Sequence, residues 1–283
     1  MFHRMFYRFT FIGFALLLVL PTGFSQSISL DWHVSENQTF TLYYTAPDSS
    51  LVPVLNETLL RGVAENAAFF GQDFVRRFDV WCFPDRAALD RQWQHDWGDS
   101  TFQSSCWMVA SGVAHRLDLL SPRVWDTQAC EHGNPLVFSG SGATFRNEKE
   151  ATAFQRLITH ELTHVYHGQH CRIPDFTGMD ALGWWVEGLA TYVSGQLDST
   201  RLVRVQTLVR EGKAPAQLDQ FWSGPQRYGL SGSVVAALDA QLGRAMLFRL
   251  LPLSTSQEIF AEMQLMEEEI HRIWREYLEG TKE

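Results

Sequence analysis

The sequence predicts an α+β protein whose first part mixes strands and helices and whose second part is helical. Before residue 146, short alternating or β-branched segments such as 39–44 and 78–83 are interleaved with segments of helical periodicity. After Asn147, apolar residues recur at helical spacing almost to the end of the chain. No internal repeat or low-complexity linker separates the parts, so we expect one unit with a mixed portion over 26–146 and a helical portion over 147–283.

The first 25 residues have the features of a secretory signal peptide. Arg4 and Arg8 form a basic start, an apolar run follows from Phe9 to Leu20, and residues 23–25 suit cleavage after Ser25. The apolar run is about a dozen residues, which is short of the ~20 that span a bilayer. We therefore expect an exported protein, secreted or periplasmic, with no membrane attachment after cleavage.

The charge balance argues against nucleic acid as a partner. The 283-residue chain has a net charge of −9, and loss of the two arginines of the leader segment takes it to about −11. An acidic chain without basic clusters lacks the electrostatic footprint of a nucleic-acid-binding protein. The sequence does not determine an oligomeric state.

Four cysteines, an even number, favour two disulfides in an exported chain. They are Cys82, Cys106, Cys130 and Cys171, and their spacing contains no CxxC pair that would suggest a cysteine zinc site. We favour a Cys106–Cys130 bridge, because it would close the segment that precedes the helix after Asn147. Buried free thiols are the alternative.

The first part of the chain predicts strands and helices in alternation. The predicted elements are strands at 39–44 and 78–83, helical periodicity from about Val52 to Phe78, an amphipathic helix at 85–97, two strands within 106–122 bent at Ser111-Gly112, and a glycine-serine loop at 138–145. Trp93 and Trp97 lie four apart on one helix face, which is typical of core packing.

The second part predicts a series of helices. Asn147 suits the N-cap of a helix that runs from Glu148 to about His167. Further helical patterns cover 181–197, 201–211, 230–251 and 256–278.

The segment "THELTHVYHGQH" (159–170) carries the most specific chemical signal. His160, Glu161 and His164 form the pattern H-E-x-x-H. Positions four apart lie only ~40° around a helix axis, so both imidazoles leave one face and can bind the same ion. Glu161 lies one step around the helix, where its carboxylate can accept a proton from metal-bound water.

Two histidines and a water leave tetrahedral zinc one protein ligand short. His170 has the spacing of the metzincin pattern H-E-x-x-H-x-x-G-x-x-H, but His167 stands where that pattern needs glycine, and the glycine comes at 168. Glu187, in "GWWVEGLATYV" (183–193), follows His164 by 23 residues, which is enough for a loop and a returning helix. Gly188 and Ala190 are small, as expected where two helices approach closely around an ion.

H-E-x-x-H followed by W-x-x-E-G-x-A-x-Y resembles the gluzincin metallopeptidases of the peptidase MA-like superfamily, which includes thermolysin and the zinc aminopeptidases. The resemblance covers roughly residues 150–250 and is weak before residue 100. It implies a zincin-like fold and one zinc ion per chain, held by His160, His164 and Glu187, with Glu161 as general base. Thr191 stands where gluzincins often place an aspartate that orients a histidine, so this sequence departs from the pattern there.

The resemblance also implies a hydrogen-bond donor to the reaction's oxyanion, supplied in gluzincins by a tyrosine or histidine beyond the third ligand. Between His170 and His271 the chain has no histidine, and its tyrosines there are Tyr192, on the ligand helix, and Tyr228. Tyr228 is therefore the candidate, with Arg227 as its alternative. His167 lies near the ligand face, where it would cap the helix end or line the cleft.

These observations predict an exported zinc metallopeptidase that hydrolyses peptide or protein substrates with water activated by Glu161. Zincins hold substrate along an exposed strand edge, and the segment Gly112-Val113-Ala114 is the candidate for it. Two alternatives remain: a catalytically degenerate metal-binding or interaction protein, and a zinc hydrolase acting on a non-peptide amide.

Overall fold

The computed structural model describes residues 30–139 and 142–281, and the predicted signal peptide at 1–25 lies outside them. The described chain is a mixed α+β structure, as the sequence predicts. Its strands are β1 (Trp32–Glu36), β2 (Phe40–Thr45), β3 (Phe78–Phe83), β4 (Ala110–Val113), β5 (Arg116–Leu120), β6 (Leu136–Ser139) and β7 (Gly142–Phe145).

The first five strands form one sheet in the order β1-β2-β3-β5-β4. The three central strands are parallel to one another, whereas β1 and β4 pair antiparallel at the two edges. Alternate residues of β2 and β3 point into the core, among them Phe40, Leu42, Val80 and Cys82, whereas residues 117–120 of β5 are all buried. Because β4 is an edge strand, one side of its backbone has no strand partner.

Ten α-helices separate and follow the strands within the described residues, together with four short 3₁₀ helices. The α-helices are α1 (Val52–Phe70), α2 (Arg86–Trp97), α3 (Trp125–Gln128), α4 (Glu148–His170), α5 (Gly183–Val193), α6 (Ser199–Arg210), α7 (Arg227–Leu242), α8 (Arg244–Leu250), α9 (Ser256–Met263) and α10 (Glu267–Gly280).

Helix α4 begins where the sequence predicts it and runs three residues past its predicted end. The side chain of Asn147 caps it by accepting a hydrogen bond from the backbone N–H of Glu150 at 3.0 Å. Glu148 and Glu150 in the first turn complement the positive end of the helix dipole. The helix continues to His170 and ends where Cys171 adopts an extended backbone.

Two hydrophobic cores meet on α4. Its residues Phe154, Ile158, Leu162 and Val165 belong to the core formed with the five-stranded sheet and α1. Tyr166 instead belongs to the core formed by the helices after α4. Its ring stacks on Phe70 of α1 at 4.5 Å between centroids, which fixes the rotation of α4 between the two cores.

Three element predictions in the first part are wrong in detail. Helix α1 does not continue to Phe78, because Gly71 takes the left-handed conformation (φ 71°) that ends a helix. The hairpin from β4 to β5 turns at Ala114-His115, and Ser111 and Gly112 lie inside β4. The segment 138–145, predicted as a loop, contributes its ends to the hairpin β6–β7.

The last two predicted helices are each interrupted once. The segment 230–251 breaks at Gly243 (φ 80°), which separates α7 from α8. The segment 256–278 breaks at Gln264 (φ 56°), after which α10 starts with Met266 as its N-cap, whose backbone N–H donates to the side chain of Glu269 at 2.8 Å. A residue with a left-handed backbone can end a helix without a proline. It leaves the spacing of the apolar residues almost unchanged, so the periodicity of the sequence does not reveal it.

The predicted Cys106–Cys130 disulfide is confirmed, with the two Cα atoms 5.3 Å apart. The expectation of a second disulfide is wrong, because Cys82 and Cys171 are both free and buried. Cys82 lies on β3 in the core of the sheet, and Cys171 lies in the core of the helices, so the fold keeps the two thiols apart.

A disulfide is typical of an oxidising compartment. Within residues 30–139 and 142–281, no helix has the length and apolar character needed to cross a membrane.

We expect thiol titration of the unreduced protein to find two reactive cysteines after denaturation and none before it. Burial raises the pKa of the Cys82 and Cys171 thiols, and it also shields them from reagent. Reduction before denaturation should raise the count to four. A count of zero in the unreduced, denatured protein would mean that the two remaining cysteines are also bonded, and would contradict this pairing.

Candidate metal centre

Helix α4 presents its two motif histidines on one face, one turn apart. The Nε2 atoms of His160 and His164 lie 3.2 Å from each other, so both rings face the same point. Their side chains are buried, with 6% and 9% of their surface exposed. This arrangement follows from the four-residue spacing on a regular helix.

Helix α5 brings Glu187 to the same point. Its Oε2 atom lies 3.3 Å from His160 Nε2 and 3.5 Å from His164 Nε2. The three residues form a group that could hold a metal ion. His170, the rival third ligand, is not part of this group, since its ring packs on Tyr166 and Phe248 at centroid distances of 4.7 and 5.2 Å.

The three ligand atoms fit a single tetrahedral ion. Metal–ligand bonds of ~2.0–2.1 Å at a tetrahedral centre separate neighbouring ligand atoms by about 3.3–3.4 Å. The observed separations are 3.2, 3.3 and 3.5 Å. Two imidazole nitrogens and one carboxylate oxygen are a donor set that suits zinc. Glu187 is the most exposed of the three side chains, at 21%, so the group opens to solvent on its side.

The electrostatics of the group favour a cation. Burial by itself raises the pKa of Glu187, but the neighbouring His164 and His160 hold that pKa well below its usual range. Burial lowers the pKa of His164, and the charge of Glu187 more than reverses this. The glutamate is therefore ionised and its oxygen is available as a ligand.

Glu161 lies beside the group and not within it. Burial raises the pKa of its carboxyl group above the ordinary value, and the charge of Glu187 raises it further. The two histidines and a hydrogen bond from the backbone of Gly112 act in the opposite direction. A carboxylate with a raised pKa is a stronger base than one in water.

The edge strand β4 lies directly on the metal-binding part of α4. A Cβ atom built on Gly112 would lie 2.2 Å from the carbonyl oxygen of Glu161, so no side chain fits there. About two helical turns after Glu161, a Cβ on Gly168 would lie 2.7 Å from the amide nitrogen of Ala114. Glycine at both positions lets the backbones of strand and helix touch.

Only part of the predicted substrate strand has a free edge. The amide of Ala114 donates to the carbonyl of Pro174 at 3.2 Å, and the Ala114 carbonyl accepts from the side chain of Gln169 at 3.0 Å. The rest of this edge runs from Ala110 to Gly112, where the backbone of Gly112 hydrogen-bonds to Glu161 and the outward-facing groups of Ala110 have no strand partner.

Tyr228, at the start of α7, lies close to the metal-binding group. Its ring centroid is 6.1 Å from that of His160. Burial raises the pKa of Tyr228 to about 12, Glu187 contributes to the rise, and Arg227 opposes it. The hydroxyl is thus protonated at neutral pH and can donate a hydrogen bond. The hydroxyl of Tyr192 is occupied elsewhere, because it donates to Asp239 at 2.8 Å.

Two residues near the motif, His167 and Gly188, lie in surroundings that the sequence does not reveal. His167 is fully buried, with its ring 5.0 Å from that of Phe176, and burial lowers its pKa to about 3. It therefore lines no open cleft. Gly188 approaches α7 closely and not α4. A Cβ atom built on it would lie 2.5 Å from the carbonyl oxygen of Ser231.

The position of Thr191 bears on how the histidines are held. Thr191 is fully buried and its Oγ1 atom has no hydrogen-bond partner in the described part of the chain. The same is true of the Nδ1 atom of His160, the nitrogen that an orienting carboxylate would contact. The departure from the gluzincin pattern at Thr191 is thus accompanied by a candidate ligand, His160, whose Nδ1 atom has no hydrogen-bond partner within the described residues.

Sequence reasoning missed three aromatic residues around the centre. Phe176, a non-glycine residue with a positive φ of 57°, places its ring 6.1 Å from His164. Trp107 and Trp222 flank Arg227, with its guanidinium carbon 4.9 and 5.3 Å from their ring centroids. All three come from irregular segments, where periodicity carries no information about position.

Comparison with known proteins gives no match, since no protein-family model matches the sequence and no curated protein is significantly similar to it.

We expect Glu187→Ala to lose most of its bound metal, because two histidines alone leave the ion without its charged third ligand. His170→Ala is the matched control and should retain about one metal ion per chain. Elemental analysis after dialysis, with both variants checked for folding by circular dichroism, measures the difference. Loss of metal in the His170 variant and retention in the Glu187 variant would reverse the ligand assignment.

Proposed function

We propose that this protein is a zinc-dependent metallopeptidase with a zincin-like, gluzincin-type fold, acting as an exported enzyme on peptide or protein substrates. The observation that carries the proposal is the group of two buried histidines, His160 and His164, with the partly exposed Glu187, with Glu161 beside it and a strand edge against it. Histidine, histidine and glutamate with an open side form the donor set of catalytic zinc sites.

Zinc bound by these three residues would supply Lewis acidity, lowering the pKa of a water towards 7 and polarising a carbonyl oxygen. Glu161 accepts the proton of the attacking water on its carboxylate. Its partial burial and the nearby negative charge of Glu187 strengthen it as a base. The proton then passes from Glu161 to the leaving amine, so the carboxylate is regenerated.

Tyr228 supplies the second donor to the oxyanion that develops on the scissile carbonyl. Its hydroxyl is protonated, and its ring lies against that of His160. A donor fixed in a site of low dielectric stabilises charge without reorganisation at the moment of reaction.

The strand edge favours a peptide over a non-peptide amide. A substrate in extended conformation can add to the Ala110–Gly112 edge of β4 by backbone hydrogen bonds, which places its carbonyl groups next to Glu161. An intact glutamate beside the ligand group also argues against a degenerate, purely metal-binding role.

Glu161→Gln tests the proposed chemistry. We expect this variant to keep its zinc and its fold and to lose nearly all hydrolysis, because glutamine has the same shape but cannot accept the proton. Digestion of a peptide library read by mass spectrometry, with zinc content measured in parallel, is the experiment. Glu148→Gln, an exposed change on the same helix, should keep its activity. Full activity in the Glu161 variant would refute the mechanism.

Tyr228→Phe should lower kcat by on the order of 10²–10³ with little change in KM, because the hydrogen bond strengthens only as charge builds on the oxygen. The phenylalanine keeps the ring packing, so zinc content and thermal stability should hardly change. Tyr192→Phe removes a hydroxyl of the neighbouring helix that binds Asp239 and serves as the control. An unchanged kcat in Tyr228→Phe would clear this tyrosine of the role.

A further inference from the structure

A guanidinium group lies between two indole rings beside the metal-binding group. The guanidinium carbon of Arg227 is 4.9 Å from the ring centroid of Trp107 and 5.3 Å from that of Trp222. It is also 5.2 Å from the ring centroid of Tyr228. Stacking on aromatic rings holds the planar group in a fixed orientation and removes part of its hydration.

This guanidinium has no anionic partner within the described residues. No carboxylate there forms an ion pair with it, its Nε atom is buried without a hydrogen-bond partner, and its polar contact is the hydroxyl of Tyr228. Arg201, which lies 5.8 Å from the other side of the Tyr228 ring, donates to a backbone carbonyl, that of Gln196. Partly buried arginines are normally paired, so two arginines without a carboxylate in ion-pair contact are unusual.

Arg227 and the aromatic residues around it come from two different parts of the fold. Arg227 itself opens α7, whereas Trp107 comes from the loop before β4. That loop is held by the Cys106–Cys130 disulfide and by Arg86, whose guanidinium donates to the carbonyls of Cys106 and Met108 at 3.0 and 2.9 Å. Trp107 and Trp222, on the two sides of Arg227, therefore connect the part of the chain that carries the sheet with the helical part.

We propose that Arg227, Trp107 and Trp222 form a subsite for a substrate carboxylate, and that the enzyme prefers peptides with a negative charge close to the scissile bond. The proposal rests on the proposed peptidase function. A fixed guanidinium presents paired N–H donors that match a carboxylate, and it lies one side chain away from the metal-binding group through Tyr228. The carboxylate comes from the C-terminus of a short substrate or from an aspartate or glutamate side chain.

Four peptides that differ only in one side chain and in the C-terminal group distinguish these two sources of the carboxylate. They carry glutamate or glutamine directly after the scissile bond, each with a free or an amidated C-terminus one residue further on. For the wild type we expect kcat/KM to be about 10–100-fold higher for at least one kind of carboxylate than for its neutral counterpart, the range of a charge-assisted hydrogen bond. A gain with the free terminus identifies the terminal carboxylate, and a gain with glutamate identifies the side chain.

Variants of Arg227 test whether this residue causes the preference for negatively charged peptides. Arg227→Gln should abolish it mainly through KM, and Arg227→Lys should restore part of it, because lysine keeps the charge without the fork of donors. Arg123→Gln is the matched control, since the Arg123 guanidinium also stacks on a ring, that of Phe138 at 4.4 Å, and is not part of the subsite. Equal kcat/KM for charged and neutral peptides in the wild type would overturn the proposal while leaving the peptidase function intact. An equal loss of kcat for all four peptides in Arg227→Gln would also overturn it, and would make Arg227 an oxyanion donor.

A binding measurement separates the failure of the subsite from the failure of the function. Calorimetric titration of the zinc-loaded Glu161→Gln protein measures binding without turnover. The ligands are an acetylated dipeptide as free acid, the same dipeptide as amide, and an amide that contains glutamate. Selective binding of a carboxylate form without cleavage of any peptide by the wild type would support the subsite and reject the peptidase. Identical binding of charged and neutral forms would reject the subsite whatever the activity.

Discussion

The contact between the backbone of β4 and helix α4 is the constraint on which the site depends. At Gly112 and Gly168 the strand and the helix approach so closely that a methyl group would collide with a backbone atom. The backbone of the edge strand, and not a layer of side chains, therefore covers Glu161 and His164. This contact partly removes the Glu161 carboxylate from water and brings the backbone of Gly112 next to it. The outer edge of β4 then lies where an extended substrate would bind.

The rotation of α4 about its axis is set by two hydrophobic cores, and the metal-binding face is what remains between them. Leu162 and Val165 pack into the sheet core, while Tyr166 stacks on Phe70 towards the helical core. Successive residues on a helix differ by ~100°, so a shift of one residue would carry both imidazoles away from Glu187. The packing of apolar residues thus determines the geometry of the polar group.

That polar group is costly for the fold. Two buried imidazoles lie against a partly buried carboxylate, and the His160 Nδ1 atom and the Thr191 hydroxyl lack hydrogen-bond partners within the described residues. Unsatisfied buried polar atoms destabilise a protein unless a ligand compensates for them. Such atoms, together with an Arg227 guanidinium that has no carboxylate partner, are typical of residues kept for binding and not for stability.

The sequence by itself determined the features that depend on local spacing: the helix that carries His160 and His164, its cap at Asn147, the early strands and the α+β class. It also favoured Glu187 over His170 beside the two histidines and Cys106–Cys130 as a disulfide; the structure brings Glu187 and not His170 into the group that could hold a metal ion, and it contains that disulfide. Only the tertiary structure decided where helices break at Gly71 and Gly243, why Cys82 and Cys171 do not pair, and that Trp107 and Trp222 enclose Arg227. These features depend on contacts between residues far apart in the chain or on single backbone dihedral angles, and periodicity in a local window is insensitive to both.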